Sequence, residues 1–409
     1  MSKRERIVCG LEIGTTKICL IIAHALADGK LEVVSSGYSN SGGLKKGVVV
    51  DLEEAAASIR KAAEEAELKS GISVDWVTVG VSADHIQSYN CHGAVVIEGQ
   101  NQEVTQEDTN QVIHAAQSIP IPPGREIIHV LAQEFFLDNR GDIHNPVGLA
   151  GSRLDVNIHV VTCDSALNQS LINAVNKADM RVKKVVLQQL ASAEAVLTHD
   201  EKELGTAVID IGGGTTDIAL FVKNAIRFSS VLPVGGDHFT RDLAVGLRTP
   251  IGDAERIKKE FGSVVLEGIA EDEVVEIPGV GTRGPRNLPR KTICKILRAR
   301  AVELLELLKD QIAGTGEREQ LLAGAVLTGG GSMLNGITEL AEEIFEMPVR
   351  QGFPQGVQGL TEELSHPVYA GAIGLAILEA QNGTGRKKRV GKTNSAPWLI
   401  SRILSWLGG

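Results

Sequence analysis

The chain has 409 residues, with 41 Lys+Arg against 51 Asp+Glu and a formal net charge of -10; its 43% hydrophobic and 22% charged content excludes wholesale disorder. No window approaches the roughly 18 apolar residues of a transmembrane helix, and Glu12 interrupts the first apolar run too early for a signal peptide. Five scattered cysteines without a CxxC pair argue against a disulfide framework or zinc site and point to a reducing, cytosolic compartment.

In chain order, the β-branched runs at 7–13, 18–25 and 31–36 predict three successive strands. Asp51 opens a helix with Glu54 as capping-box partner; it runs to about residue 69 and Gly71 ends it, before a strand at 76–81. Residues 84–162 change character. Short strands at 94–97, 127–137 and 154–161 surround one helix beginning near Thr105, and Pro120, Pro122 and Pro123 punctuate the connection, so this stretch reads as an inserted subdomain. The helical period resumes at Ser165, and 206–211 reads as a buried strand. Short strands alternating with amphipathic segments predict an α/β fold.

The sequence also echoes itself. Residues 8–22 read VCGLEIGTTKICLII and residues 207–221 read AVIDIGGGTTDIALF. In both, an apolar strand ends in a carboxylate (Glu12, Asp210), turns through glycine and threonine, and resumes as a strand; two such copies predict two similar halves facing each other. Each tip, Gly14-Thr15-Thr16-Lys17 and Gly212-Gly213-Gly214-Thr215-Thr216, is a candidate phosphate cradle, because glycine admits close backbone approach and successive N–H groups attract an anion. The carboxylate before each tip can hold the water shell of Mg²⁺ against phosphates. A third cluster, Thr328-Gly329-Gly330-Gly331-Ser332, follows an apolar run and precedes a helix predicted from Met333. No strand–GxGxxG–helix unit and no GxxxxGK[ST] loop occurs.

Taken in this order, the clusters resemble the actin/Hsp70/hexokinase ATPase superfamily. Residues 12–17 are similar to its first phosphate motif, 210–217 to its second and 328–332 to its adenosine motif, while 188–197 (QQLASAEAVL) and 371–378 (GAIGLAIL) resemble its two connecting helices. Within the superfamily, the segment 145–154 (NPVGLAGSRL) resembles the inserted subdomain of the FtsA family of bacterial cell-division proteins. The resemblance implies an actin-like ATPase fold: two RNase H-like halves around a nucleotide cleft, with an inserted 1C subdomain in place of actin's 1B. It implies subdomain 1A at 6–83, 163–194 and 366–382, 1C at 84–162, 2A at 195–229 and 305–365, and 2B at 230–304. ATP with Mg²⁺ is implied in the cleft, with Thr15, Thr16 and Lys17 on the phosphates from one side and Gly213 to Thr215 from the other. Gly235, Gly236, Glu255, Lys258 and Lys259 would approach from the second half, with Gly330 and Gly331 beneath. Glu12 stands where the superfamily usually has Asp, which shifts the metal-water geometry and implies at most slow hydrolysis. Asp210 is expected to orient attacking water, and Gln188 sits at the position of a water-positioning residue.

The tail is separate in character. Residues 381–409 carry +6 and no acidic residue, so the preceding 380 carry -16, a body that disfavours nucleic acid. Residues 383–394 read as a flexible basic linker. In 395–409, Leu399, Ile400, Ile403, Leu404, Trp406 and Leu407 fall on one arc of roughly 160° at the helical period of about 100° per residue, an amphipathic helix suited to anionic lipid. The resemblance agrees: it implies a peripheral anchor at the cytoplasmic face of the inner membrane, at the septum, self-association into filaments, later division proteins contacting 1C, and the FtsZ C-terminal tail on 2B. Arg283, Arg286 and Arg290 are the candidate dock for that acidic peptide. The alternatives are a small-molecule or sugar kinase, a pilus-assembly relative and, least favoured for want of a substrate domain, an Hsp70-type chaperone.

Overall fold

The computed structural model describes residues 6–26, 30–98, 101–118 and 120–381; the expectations for 382, the linker and the terminal helix lie outside them. Two sheets organise the chain. The first runs Arg181–Leu187, Trp76–Val81, Arg6–Ile13, Lys17–Ala25, Leu31–Asn40 and Val357–Gln358 in spatial order. The second runs Ala225–Leu232, Thr216–Val222, Thr206–Ile211, Ala325–Thr328 and Val349–Gln351. The sequence echo is a duplication of topology. In each sheet the strand before the tip lies parallel to a later strand, and the strand after it pairs antiparallel with the next. The hairpin strands are apolar on both faces because helices or the other half cover both; Ile18 to Ala23 are fully buried.

The strand at Leu31 continues to Asn40, beyond the predicted Ser36. A side chain at Gly37 would collide with the Ala62 carbonyl at 1.8 Å, so glycine lets the helix Leu52–Ser70 lie flush on the sheet through Ala62 and Ala66. That helix is capped as expected by Asp51, which accepts from Glu54 N, and by Gly71 at φ 70°. The reciprocal half of the capping box is replaced: the Glu54 carboxylate lies beside Gly42.

The helices Gln188–Val196 and Ala370–Gln381 pack together, and the first also contacts strands of both sheets, so each is buried almost all round. The inserted subdomain is an antiparallel sheet in the order Gln87–Val96, Arg153–Asp164, Arg125–Leu137, Arg140–Ile143, with one helix, Gln106–Ala116, capped by Thr105. It has its own core around Val112, Ile113, Phe135, Leu154 and Val156.

Several expected boundaries fall inside single elements. The 229/230 division cuts the strand Ala225–Leu232, 194/195 cuts the helix Gln188–Val196, and 304/305 cuts the continuous helix Arg290–Gly314. The chain also rejoins the first half before residue 366: Val357 pairs with Leu31, and Leu364 packs in the first half's core.

One buried group gives the fold a pH dependence. His159 is 1% exposed, and burial pushes its pKa down from 6.5 to about 4. The unfolded chain takes up this proton as pH falls through about 6.5 and the folded chain only near 4, so stability is lost across that window. Between pH 7 and 4.5 the chain should lose about 2 kcal/mol that a His159→Gln variant keeps, read from denaturant midpoints. Parallel losses in the two proteins would exclude His159 as the source.

Candidate nucleotide site

Both hairpin tips close with the same bond. Gly14 N donates to Lys17 O at 2.9 Å, and Gly212 N donates to Thr215 O at 2.9 Å. The tips meet head on. A Cβ at Gly213 would lie 2.5 Å from the Thr16 side chain, and one at Gly214 would lie 2.4 Å from Thr15 Oγ1. Glycine is required in the second tip because the opposite tip occupies the space of a side chain. Around the tips lies a cavity of about 770 Å³, within the usual range for ligand sites. Its walls include Glu12, Gly14, Thr15, Thr16, Lys17, Gln188, Asp210, Gly212, Gly213, Gly214, Thr215, Gly236, Glu255, Lys258, Lys259 and Gly329 to Gly331.

Three expected residues stand behind the wall. Thr216 donates its hydroxyl to Val234 O at 2.8 Å and is fully buried. Ser332 donates to Gly329 O at 2.8 Å. Gly235 backs the second tip, where a side chain would strike the Gly212 and Gly213 carbonyls at 2.7 Å. These three shape the loops, and neither hydroxyl is free to meet a ligand.

The electrostatics are concentrated at the floor. Lys17 Nζ donates to Glu12 Oε2 at 2.9 Å and to the Val368 carbonyl, and lies 5.7 Å from the Tyr369 ring centroid. Burial opposes the lysine's charge, but the adjoining Glu12 carboxylate overcomes it and raises the pKa. Asp210 accepts from Ser192 Oγ; burial, then repulsion from Glu12, pushes it up to about 6 against the pull of Ser192 and Lys17. Opposite it in register stands Asp217, raised by burial and by Asp210, with Oδ2 accepting from Ser82 Oγ at 2.7 Å and Oδ1 buried without a partner. Ser82 also shares a 2.8 Å hydrogen bond with Thr215, so this first-half loop residue ties itself to the second tip.

Gln188 is the first residue of its helix and sits in a slot left by two glycines. A Cβ at Gly80 would lie 2.1 Å from its Oε1, and one at Gly371 would lie 1.8 Å from its Nε2; the amide also helps hold the Asp210 carboxylate against the rise in its pKa. The third glycine cluster forms a different turn from the one expected. Its second half is itself a 3-10 turn, Gly330–Met333, and the helix starts at Ile337 behind Gly336 at φ 80°. The cluster therefore presents no helix N-terminus; Gly329, at φ 79°, instead leaves room for Asp210 Oδ1 2.2 Å from where its Cβ would lie. Lys258 donates to Gly236 O at 3.0 Å and Thr240 Oγ1 at 2.9 Å and pairs with Glu255 at 2.6 Å, fastening two helices along the upper wall.

Sequence reasoning passed over Asp217 and Ser82. Asp217 carried a signal: it stands seven residues after Asp210, the spacing that faces two residues across a four-residue hairpin tip. Ser82 carried none, being placed only by tertiary packing. The arginine cluster also differs from expectation. Arg286 donates to Leu247 O, and Arg290 donates to Phe261 O and pairs with Glu273 at 2.9 Å, so two of the three guanidinium groups secure the local fold. Arg283 is exposed.

The fold and these motifs have relatives. The family model described as "Cell division protein FtsA" matches residues 207–374, and that described as "SHS2 domain inserted in FTSA" matches 83–162. The cell division protein FtsA of Pseudomonas aeruginosa is 42% identical over 99% of this chain and 98% of its own; that of Escherichia coli K12 is 36% identical over 98% of each. Among solved structures, the PilM-PilN type IV pilus biogenesis complex aligns at TM-score 0.65 and 18% identity over 92% of this chain and 99% of that one. MreB5 of Spiroplasma citri bound to ADP aligns at TM-score 0.56 and 15% identity over 93% and 99%. These structural likenesses establish an actin-like ATPase fold, while the full-length identities go further: the chain belongs to the FtsA family of cell division proteins.

Proposed function

We propose that this chain is an ATP-binding, actin-like division protein that assembles into filaments on the cytoplasmic face of the inner membrane, at the septum. There it tethers the FtsZ ring and receives later division proteins on its inserted subdomain. The observation that carries the nucleotide reading is the pair of like tips meeting across a cavity whose floor holds a buried, unpartnered polar atom, Asp217 Oδ1. Such an atom is costly without a partner, and the water shell of a bound phosphate supplies one. Backbone N–H groups of the tips, with Thr15, Thr16, Lys17 and Thr215, would take the phosphates. Glu255, Lys258, Lys259 and Gly329 to Gly331 line the part left for ribose and base.

Mg²⁺ fits this donor set in a particular way. Among the described residues no three His, Cys, Asp or Glu side chains converge into a metal cage. Mg²⁺ typically keeps several waters and uses one or two carboxylates with substrate phosphates, a role open to Asp210 and Asp217. Glu12 is already neutralised by Lys17. When bound, the ion would offset phosphate charge; Asp210 and Gln188 would hold the water that faces the terminal phosphate.

The kinase and pilus-assembly readings share the cleft, but nothing in the family match favours them, and the likeness to the pilus complex reaches fold alone. Another neighbour of this fold, the MamK double helical filament, is an assembly of the kind proposed. For the FtsZ tail, Arg283 is the arginine of the cluster open to an acidic peptide. No helix among the described residues is long and apolar enough to cross a membrane, and the proposed anchor is residues 395–409. Sedimentation with anionic vesicles tests it: deleting 395–409 should lower the bound fraction about tenfold or more while ATP titration of the same samples is unchanged. Equal sedimentation of the shortened protein would refute the anchor, and absence of ATP binding by the full chain would refute the nucleotide reading.

A further inference from the structure

The inserted subdomain is mounted on both halves. On the first half, Leu187 N donates to His129 Nε2 at 3.0 Å, and Asn168 Nδ2 donates to Glu126 Oε1 at 2.8 Å. On the second half it grips the strand Ala225–Leu232. That strand is the edge of its sheet, where backbone groups lack a neighbouring strand. Side chains of the inserted sheet take three of its carbonyls. Gln133 Nε2 donates to Ile226 O at 2.7 Å, Asn90 Nδ2 to Arg227 O at 2.9 Å, and Ser88 Oγ to Ser229 O at 2.7 Å.

His159 completes the grip. Asn90 Oδ1 accepts from Gln133 Nε2 at 3.1 Å while its amide nitrogen is occupied as a donor, so the His159 Nδ1 that lies 2.7 Å from the same oxygen carries the proton. Nε2 is then the acceptor for Ser229 Oγ at 2.8 Å. Gln133, His159 and Ser229 are each at most 5% exposed, so these bonds form away from competing water. Arg227 and Glu134, 3.5 Å apart, pair beside them.

The gripped strand is one strand from the nucleotide cavity. Its partner Thr216–Val222 begins at the second tip, with Leu232 opposite Thr216 and Val231 opposite Asp217. We propose that the inserted subdomain reports the occupancy of the cleft: its Asn90, Gln133, His159 and Ser88 contacts to Ala225–Leu232, set against its mount on the first half, turn a rotation between the halves into a tilt of residues 84–162. A body fixed at two points, one on each half, cannot keep its orientation when the halves move. Directional bonds to three carbonyls along the strand resist the slippage that would absorb the motion. The surface proposed for later division proteins would thereby differ between nucleotide-bound and free chains.

This rests on nucleotide binding in the cleft, so the test measures both in one experiment. Amide hydrogen exchange of the full chain is followed with and without Mg²⁺ and ATP. ATP should slow exchange in peptides spanning 206–222 and change it about threefold or more in peptides spanning 87–96 and 125–137. In Ser229→Ala, and in the milder Ser88→Ala should the first fail to fold, the response at 206–222 should persist and that at 87–96 and 125–137 should shrink toward none. A response confined to 206–222 in the parent chain, or an unaltered response of the inserted sheet in the variants, overturns the coupling and leaves the nucleotide reading standing. No response anywhere overturns both.

Discussion

Replacing Gly213 with valine should lower ATP affinity about 100-fold or more, roughly 2.7 kcal/mol, with both sheets still folded. The added Cβ would fall 2.5 Å from Thr16 Oγ1 and Cγ2, atoms on a tight four-residue tip with little room to retreat. Relief comes from parting the tips, and parted tips no longer converge on one triphosphate. Gly330 offers a contrast, since a Cβ there meets only Val368 Cγ2 at 3.8 Å. Gly330→Ala should fold normally, and any loss of affinity there reports a ligand atom at that place. The steric account makes a further demand. Thr16→Gly, which removes both the colliding atoms and a phosphate-facing hydroxyl, should cost less affinity in a Gly213→Ala background than in the parent chain. Isothermal titration with ATP across these variants decides the matter; a Gly213→Val protein that binds like the parent would show that the tips do not act together.

What is legible in the sequence divides from the rest along a physical line. The hairpins, their tips and the duplicated halves are legible because turn chemistry and β-branched runs are local: Gly-Thr tips between apolar strands signal themselves within fifteen residues. Asp51, Gly71 and Thr105 mark helix ends for the same reason. What depends on distant packing is not legible. Ser82 reaches Thr215 and Asp217 across more than 130 residues, and nothing in its neighbourhood announces that. The two-residue strand Val357–Gln358 is too short for any periodicity, so the expected return to the first half comes too late. The helix expected at Met333 begins at Ile337 because Gly336, not the earlier glycine run, adopts the left-handed conformation that turns the chain into it. Arg286 and Arg290 look like a free basic surface; charge alone does not show that two carbonyls and Glu273 already hold them.

Asp210→Asn should stabilise the protein while removing its chemistry. Asp210 is 6% exposed, and burial with the neighbouring Glu12 lifts its pKa from 3.8 to about 6. An unfolded chain releases this proton near 3.8 and the folded chain holds it until about 6. Stability therefore declines as pH rises across that interval and stays lowered above it, by about 2–3 kcal/mol. The neutral amide escapes that cost, and its oxygen can still accept from Ser192 Oγ. Denaturant unfolding at about pH 7.5 should show Asp210→Asn more stable by a similar amount, with the advantage gone near pH 4. Turnover of ATP should fall in the opposite sense, about 100-fold or more, since an amide neither accepts a proton from water nor offsets cation charge. A stabilised variant with intact turnover would remove Asp210 from the reaction. A variant without the stability gain would mean that the carboxylate's burial is already compensated, with the cavity floor less acidic than Glu12, Asp210 and Asp217 around a single lysine require.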